Sequence, residues 1–84
     1  MLKIKDNVDL KKLEKFRYEY NEYGLNYVKE SRNKKGSWVF IIVDIKTRYI
    51  KKHIHKIGTH YNIPLNAEDV FDIIQAGLVE KVEG

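Results

Sequence analysis

Three histidines fall within eight residues, His53-Ile54-His55 followed by His60. On a β-strand, where side chains alternate between faces, His53 and His55 point to one side, so both imidazoles can reach one transition-metal ion with His60 as a third ligand from an adjoining loop. The neighbours oppose that use, because no acid lies between the histidines and Lys51, Lys52 and Lys56 would repel a cation. Solvated imidazoles on a basic strand are the plainer expectation, and no cofactor is expected. Asp44 with His53 or His55 across a hairpin is the one pairing suited to acid-base catalysis, yet an aspartate before Thr47 and Arg48 fits a turn former better. Ser31 and Ser37 lie in no nucleophile elbow, cysteine is absent, and there is no glycine-rich phosphate loop. The reading is of a non-enzymatic chain.

Tyrosines and cations offer a different chemistry. Tyr18, Tyr20, Tyr23, Tyr27 and Tyr49 are interleaved with Arg17, Lys29, Arg48 and Lys51. An aromatic sheet face rimmed by cations can stack and hold single-stranded nucleic acid, and aromatic and arginine side chains are also the usual anchors of protein interfaces. The same tyrosines serve equally well as core residues with wet hydroxyl ends.

Charge is unevenly spread over the 84 residues. The formal net charge is +4, but residues 1–28 carry +1, residues 29–56 carry +7 and residues 57–84 carry −4. A basic centre can steer a polyanion or an acidic protein surface to one side of the molecule. Equally, the basic and acidic segments can face each other and neutralise.

These residues need elements to position them. Leu10, Leu13 and Phe16 recur at near-helical spacing after a cap at Asn7 or Asp9, which predicts a short N-terminal helix. From Arg17 to Tyr23 the period becomes two, with Phe16, Tyr18 and Tyr20 on one face, and Leu25 to Glu30 offers a second alternating run. Residues 31–36 form a polar, cationic turn. Trp38 to Val43 is apolar at both parities, as expected for a central strand covered on both faces. Asp44 to Arg48 reads as a tight turn. Tyr49 to Lys56 fits either an outer strand or a helix seam, with strand preferred because the turn delivers an antiparallel partner. Ile57 to Leu65 reads as a loop. Asn66 then caps a C-terminal helix with Ala67, Val70, Phe71 and Ile74 as its apolar stripe and Glu68, Asp69, Asp72 and Gln75 outward. Gly77 and Leu78 fit its Schellman end, and residues 78–82 can add a short final strand. The fold class expected is α+β, a single small domain with a short N-terminal helix, a three- to four-stranded antiparallel meander, and a C-terminal helix packed on one face of the sheet.

No apolar run approaches the roughly 18 residues of a membrane span, and residues 1–5 lack the apolar core of a signal peptide, so a cytoplasmic protein with no membrane partner is expected. Three stretches, Lys-Asp-Asn-Val-Asp-Leu-Lys-Lys-Leu-Glu-Lys-Phe at 5–16, Asp-Ile-Lys-Thr-Arg at 44–48 and Ala-Glu-Asp-Val-Phe-Asp-Ile-Ile-Gln-Ala-Gly-Leu-Val-Glu-Lys-Val at 67–82, resemble small proteins carried by phages and prophages of low-GC Gram-positive bacteria. The resemblance implies an origin in a bacterial host cell and an accessory role in binding a host or phage macromolecule, counter-defence included. A nuclease inhibitor that imitates DNA would be acidic, which the +7 centre opposes.

The leading expectation is therefore a module that binds a host or phage protein through a basic, tyrosine-bearing surface of Tyr18, Tyr20, Lys29, Arg32, Lys34, Lys35, Arg48, Lys51 and Lys52. The alternative is a nucleic-acid module using the same surface, with Lys34, Lys35, Lys51 and Lys52 on phosphates and Tyr18 or Tyr20 beneath bases. The chain is expected to be a monomer, or a homodimer paired along the strand after Arg48 if that strand is an edge.

Overall fold

A computed structural model describes residues 1–32, 37–56 and 58–83 of the chain. After a short strand β1 (Leu2–Ile4), the residues Leu10, Leu13 and Phe16 recur every third position, the period of a 3-10 helix, and Leu10–Phe16 forms one. The Asp9 carboxylate caps it by accepting the Lys11 N–H at 3.0 Å. Leu13 is fully buried beneath it, while Leu10 and Phe16 pack at the margin of the core. Arg17 ends the helix at φ 71°, its N–H donating to the Glu14 carbonyl, and the chain turns into the sheet.

That sheet is a five-stranded antiparallel meander in chain order: β2 (Glu19–Asn21), β3 (Asn26–Arg32), β4 (Trp38–Asp44), β5 (Ile50–Lys56) and β6 (Thr59–Ile63). The chain then forms a 3-10 turn (Ala67–Val70), helix α1 (Phe71–Gln75) and β7 (Val79–Lys81), which pairs antiparallel with β1 as a separate two-stranded ribbon. The α+β class stands, with more strands than the three or four expected. The additional meander strand is β6, read from sequence as loop: apart from Ile63 its side chains are exposed, so it has no hydrophobic alternation to betray it, and Gly58 at φ 80° precedes it. Strand β5 is a strand, as preferred, but an interior one. The expected edge after Arg48 is occupied by β6, which pairs His53 with Asn62 and His55 with His60.

Strand β4 alternates. Val39, Ile41 and Val43 are buried, while Trp38, Phe40 and Ile42 are half-buried, so the expectation of cover on both faces is corrected to cover on one. The register fixes what shares the covered face: Tyr27, Lys29 and Ser31 from β3, and Ile50, Lys52 and Ile54 from β5. Against it lie Leu13, Val70, Ile73 and Leu78 together with Ile4 and Val8.

The C-terminal helical segment changes pitch at Val70 (φ −127°, ψ 26°), and this rotates its buried stripe. Val70 and Ile73 are fully buried, whereas Phe71 is 58% exposed and Ala67 is exposed, so the stripe predicted through Ala67 and Phe71 is displaced. The end of α1 matches expectation: Gly77 at φ 77° donates to the Ile74 carbonyl and Leu78 to that of Ile73, a Schellman pair.

Candidate recognition surface

The aspartate-to-arginine turn at residues 44–48 shows how local chemistry positions this molecule. The Asp44 carboxylate accepts the N–H groups of Lys46 and Thr47, each at 2.8 Å, which holds its carboxyl below the ordinary carboxylate range. Arg48 follows at φ 66° and its Nη1 donates to the carbonyls of Lys5 (2.8 Å) and Val8 (2.7 Å). Arg48 therefore clamps the N-terminal segment and is no free anchor for a ligand.

Two other expected surface cations are also engaged within the fold. Lys29 Nζ lies 2.9 Å from Asp72 Oδ2, and Lys52 Nζ lies 2.9 Å from Asp69 Oδ1. Both lysines stand on the covered face, where the carboxylates of the C-terminal helical segment neutralise them. Asp69 additionally accepts the Asn66 N–H at 2.8 Å, so one side chain caps the helical segment and fastens it to β5. Asp69 and Asp72 were expected to face outward, and the pitch change turns them toward the sheet. Tyr18 is 1% exposed, with the Lys29 ammonium 5.5 Å from its ring centre. Burial, with Asp72 and Asp69 nearby, pushes its hydroxyl far above the ordinary tyrosine range. It is a core residue. Tyr20 is 52% exposed and meets Tyr27 with ring centres 5.6 Å apart. Lys51 alone of the described lysines singled out stands on the opposite face of the sheet. Lys34 and Lys35 lie outside the described residues, as does the side chain of Arg32. Among the described residues, Tyr18, Lys29, Arg48 and Lys52 are engaged within the fold and only Lys51 stands on the opposite face.

What it does gather is the opposite face. Register places Val28 and Glu30 of β3, Trp38, Phe40 and Ile42 of β4, Lys51, His53 and His55 of β5, and His60 and Asn62 of β6 on one side. No side chain from this set belongs to the core cluster. Its centre, Val28, Phe40 and Ile42, is apolar and half-buried, and Glu30, Lys51, His60 and Asn62 are exposed around it. A concavity of about 440 Å³ between β2, β3 and β4 includes Arg17, Glu19, Val28, Glu30 and Phe40. From sequence, the apolar run of β4 pointed to double burial. The signal for a second, exposed-side role was the polar alternation of its two neighbours, β3 and β5.

The three histidines do converge, because β6 brings His60 beside β5. His55 and His60 meet edge to face with ring centres 3.9 Å apart, and His53 Nε2 is 3.5 Å from His60 Nδ1. His53 Nδ1 is 3.0 Å from Asn62 Oδ1. Among the described residues, no group of three or more His, Cys, Asp or Glu side chains is arranged to hold a metal ion. No carboxylate is hydrogen-bonded to a histidine among them either, so the acid-base pairing of Asp44 with His53 or His55 is not formed.

A larger groove of about 710 Å³ runs between β5, β6 and the N-terminal strand, lined by Leu2, Ile50, Ile63 and Leu65 with Lys52 and Asn62 at its margins. It contains none of the histidines. No helix among the described residues is long and apolar enough to cross a membrane. Comparison with protein-family models, with curated proteins and with solved structures finds no match to this chain.

Proposed function

We propose that this chain is a non-enzymatic protein-binding module whose recognition surface is the open face of the meander sheet, acting in the bacterial cytoplasm as a phage-derived accessory protein. The observation that carries the reading is the apolar strip Val28, Phe40 and Ile42, rimmed by exposed polar and charged groups and left outside the core. An apolar centre within a polar rim is the anatomy of a protein interface. The phage origin rests on the resemblance of the three sequence stretches.

A nucleic-acid role finds less support on this face. Glu19, Glu30 and Asp44 offset Lys51 and Arg17 there, and Lys29 and Lys52 are already neutralised on the other side. Phosphate binding requires a local excess of cations.

Affinity capture from the lysate of a low-GC Gram-positive bacterium, with and without nuclease, tests the reading. The expected result is a protein retained after nuclease treatment and lost with Phe40→Asp. Retention that vanishes with nuclease, or binding to single-stranded RNA or DNA that falls steeply from about 50 to 200 mM salt, would replace it with the nucleic-acid reading.

A further inference from the structure

We infer that the outer edge of β6 pairs with the same edge of a second copy of this chain, antiparallel about Tyr61, joining two five-stranded sheets into one. The surface involved is the rim of the sheet, so the inference is independent of what binds the open face. β6 ends the strand order, and among the described residues no backbone hydrogen bond reaches it from outside the sheet. Natural proteins blunt exposed edges with short strands, charge or proline. The opposite rim obeys that rule, since β2 has 3 residues and carries Glu19. β6 does not. It has 5 residues, Thr-His-Tyr-Asn-Ile, and among the described strands it alone lacks a lysine, arginine, aspartate or glutamate.

Hydrogen-bond parity fixes which groups of β6 are free. The Asp44 N–H donates to the Tyr49 carbonyl at 3.1 Å, directly before the Val43–Ile50 pair. Backbone groups alternate in direction along a strand, so Lys51, His53 and His55 turn theirs toward β4, and Lys52, Ile54 and Lys56 turn theirs toward β6. The partners Ile63, Tyr61 and Thr59 are therefore bonded inward, and the N–H and C=O of His60 and Asn62 point outward. A two-fold axis perpendicular to the sheet can pass only at residue 60, 61 or 62, because outward groups must oppose outward groups. At His60 it sets Asn62 against Gly58, whose φ of 80° takes it out of the strand. At Asn62 it sets His60 against Pro64, which has no N–H to donate. At Tyr61 it sets each His60 against Asn62 of the second copy, and every outward group finds a partner.

The side chains suit that register. Tyr61, 43% exposed, meets Tyr61 of the second copy at a non-hydrogen-bonded position, where opposed side chains come closest and aromatic pairs are favourable. Thr59 opposes Ile63, a β-branched pair. His60 beside Asn62 repeats between copies the contact that His53 makes with Asn62 within the fold, at 3.0 Å. One uncharged strand thus supplies both halves of a complementary pair with no like charges opposed, which selects the chain itself as the occupant. Pairing consumes both β6 edges and leaves the short, charged β2 at either end, so assembly stops at two copies. The contact is smaller than a standard interface, and a reversible dimer with a dissociation constant on the order of 0.1–1 mM is expected.

Sedimentation equilibrium and amide hydrogen exchange on the full chain from about 20 μM to about 2 mM test the inference. Wild type is expected to pass from monomer toward dimer, with protection of the His60 and Asn62 amides rising with concentration while that of Tyr61 and Ile63 stays constant. Asn62→Pro removes an outward N–H and no bond within the sheet, so it should remain monomeric with unchanged far-ultraviolet circular dichroism. Tyr61→Lys and Tyr61→Glu should each weaken self-association about tenfold. An equimolar mixture of the two should regain affinity to within about threefold of wild type, because opposite charges then face each other across the axis. A monomer throughout the range overturns the inference, as does a dimer that leaves the His60 and Asn62 amides unprotected. A dimer kept by Asn62→Pro but lost with Phe40→Asp places the contact on the open face and overturns it too.

Discussion

Arg48 is the side chain on which the N-terminal third depends. Its guanidinium satisfies two backbone carbonyls from a segment that lacks regular structure between β1 and the 3-10 helix. Arg48→Ala should cost about 2–3 kcal/mol in urea unfolding, because two charge-assisted hydrogen bonds vanish together. Arg48→Lys should recover little of that, as an ammonium cannot reproduce the planar fork. Asp44 carries a pH signature. Its folded-state carboxyl is held below the ordinary 3.8 by the N–H groups of Thr47 and Lys46, so the stabilisation is complete above that value and lost as pH falls through the lowered one. Wild type should therefore lose more stability than Asp44→Asn between about pH 5 and 2, and equal slopes in urea titrations over that range would contradict the assignment. The turn role of Asp44 and the cap at Asp9 were legible in sequence because both act on amides within a few residues. The engagement of Arg48 with residues 5 and 8 was not, since it spans 40 residues or more.

At the scale of elements, the covered face is held by apolar contacts supplemented by two ion pairs. Lys29–Asp72 and Lys52–Asp69 join β3 and β5 to the C-terminal helical segment, and Asp69 also caps it. Asp69→Ala should destabilise by about 1–2 kcal/mol, more than Glu68→Ala, whose exposed side chain has neither task. Ile73→Ala, at a fully buried position, should cost about 2–5 kcal/mol. Thermal or urea unfolding of the three variants checks that order. Elements with a strong local period were readable: the every-third-residue spacing of Leu10, Leu13 and Phe16, the apolar run of β4 and the Gly77 end of α1. Those that failed lacked a local signal. Strand β6 is exposed along most of its length, and β1 exists because it pairs with β7 at the far end of the chain. The buried stripe of the C-terminal helical segment was misplaced because a change from three to 3.6 residues per turn at Val70 shifts its phase.

Across the whole molecule, part of the charge asymmetry of the sequence is consumed in folding. Part of the acidic final third meets part of the basic middle third through Asp69 and Asp72, so the segment charges of −4 and +7 do not describe two opposed surfaces. The site legible in sequence was thus a list of residues with the right chemistry and no common face. The face that does assemble could be found only once the register was known, because it takes one or more side chains from each of four neighbouring strands. The central claim is that this open face, and not the cationic hairpin, makes contact with other proteins. Amide chemical-shift mapping of the labelled chain, with and without the protein retained in the nuclease-treated capture, tests it most directly. The account predicts shifts on adding that protein concentrated at Val28, Glu30, Phe40, Ile42, Lys51 and His53, and quiet signals at Leu13 and Ile73. Shifts confined to residues 31–36, or spectra that do not change with the added protein, would contradict it.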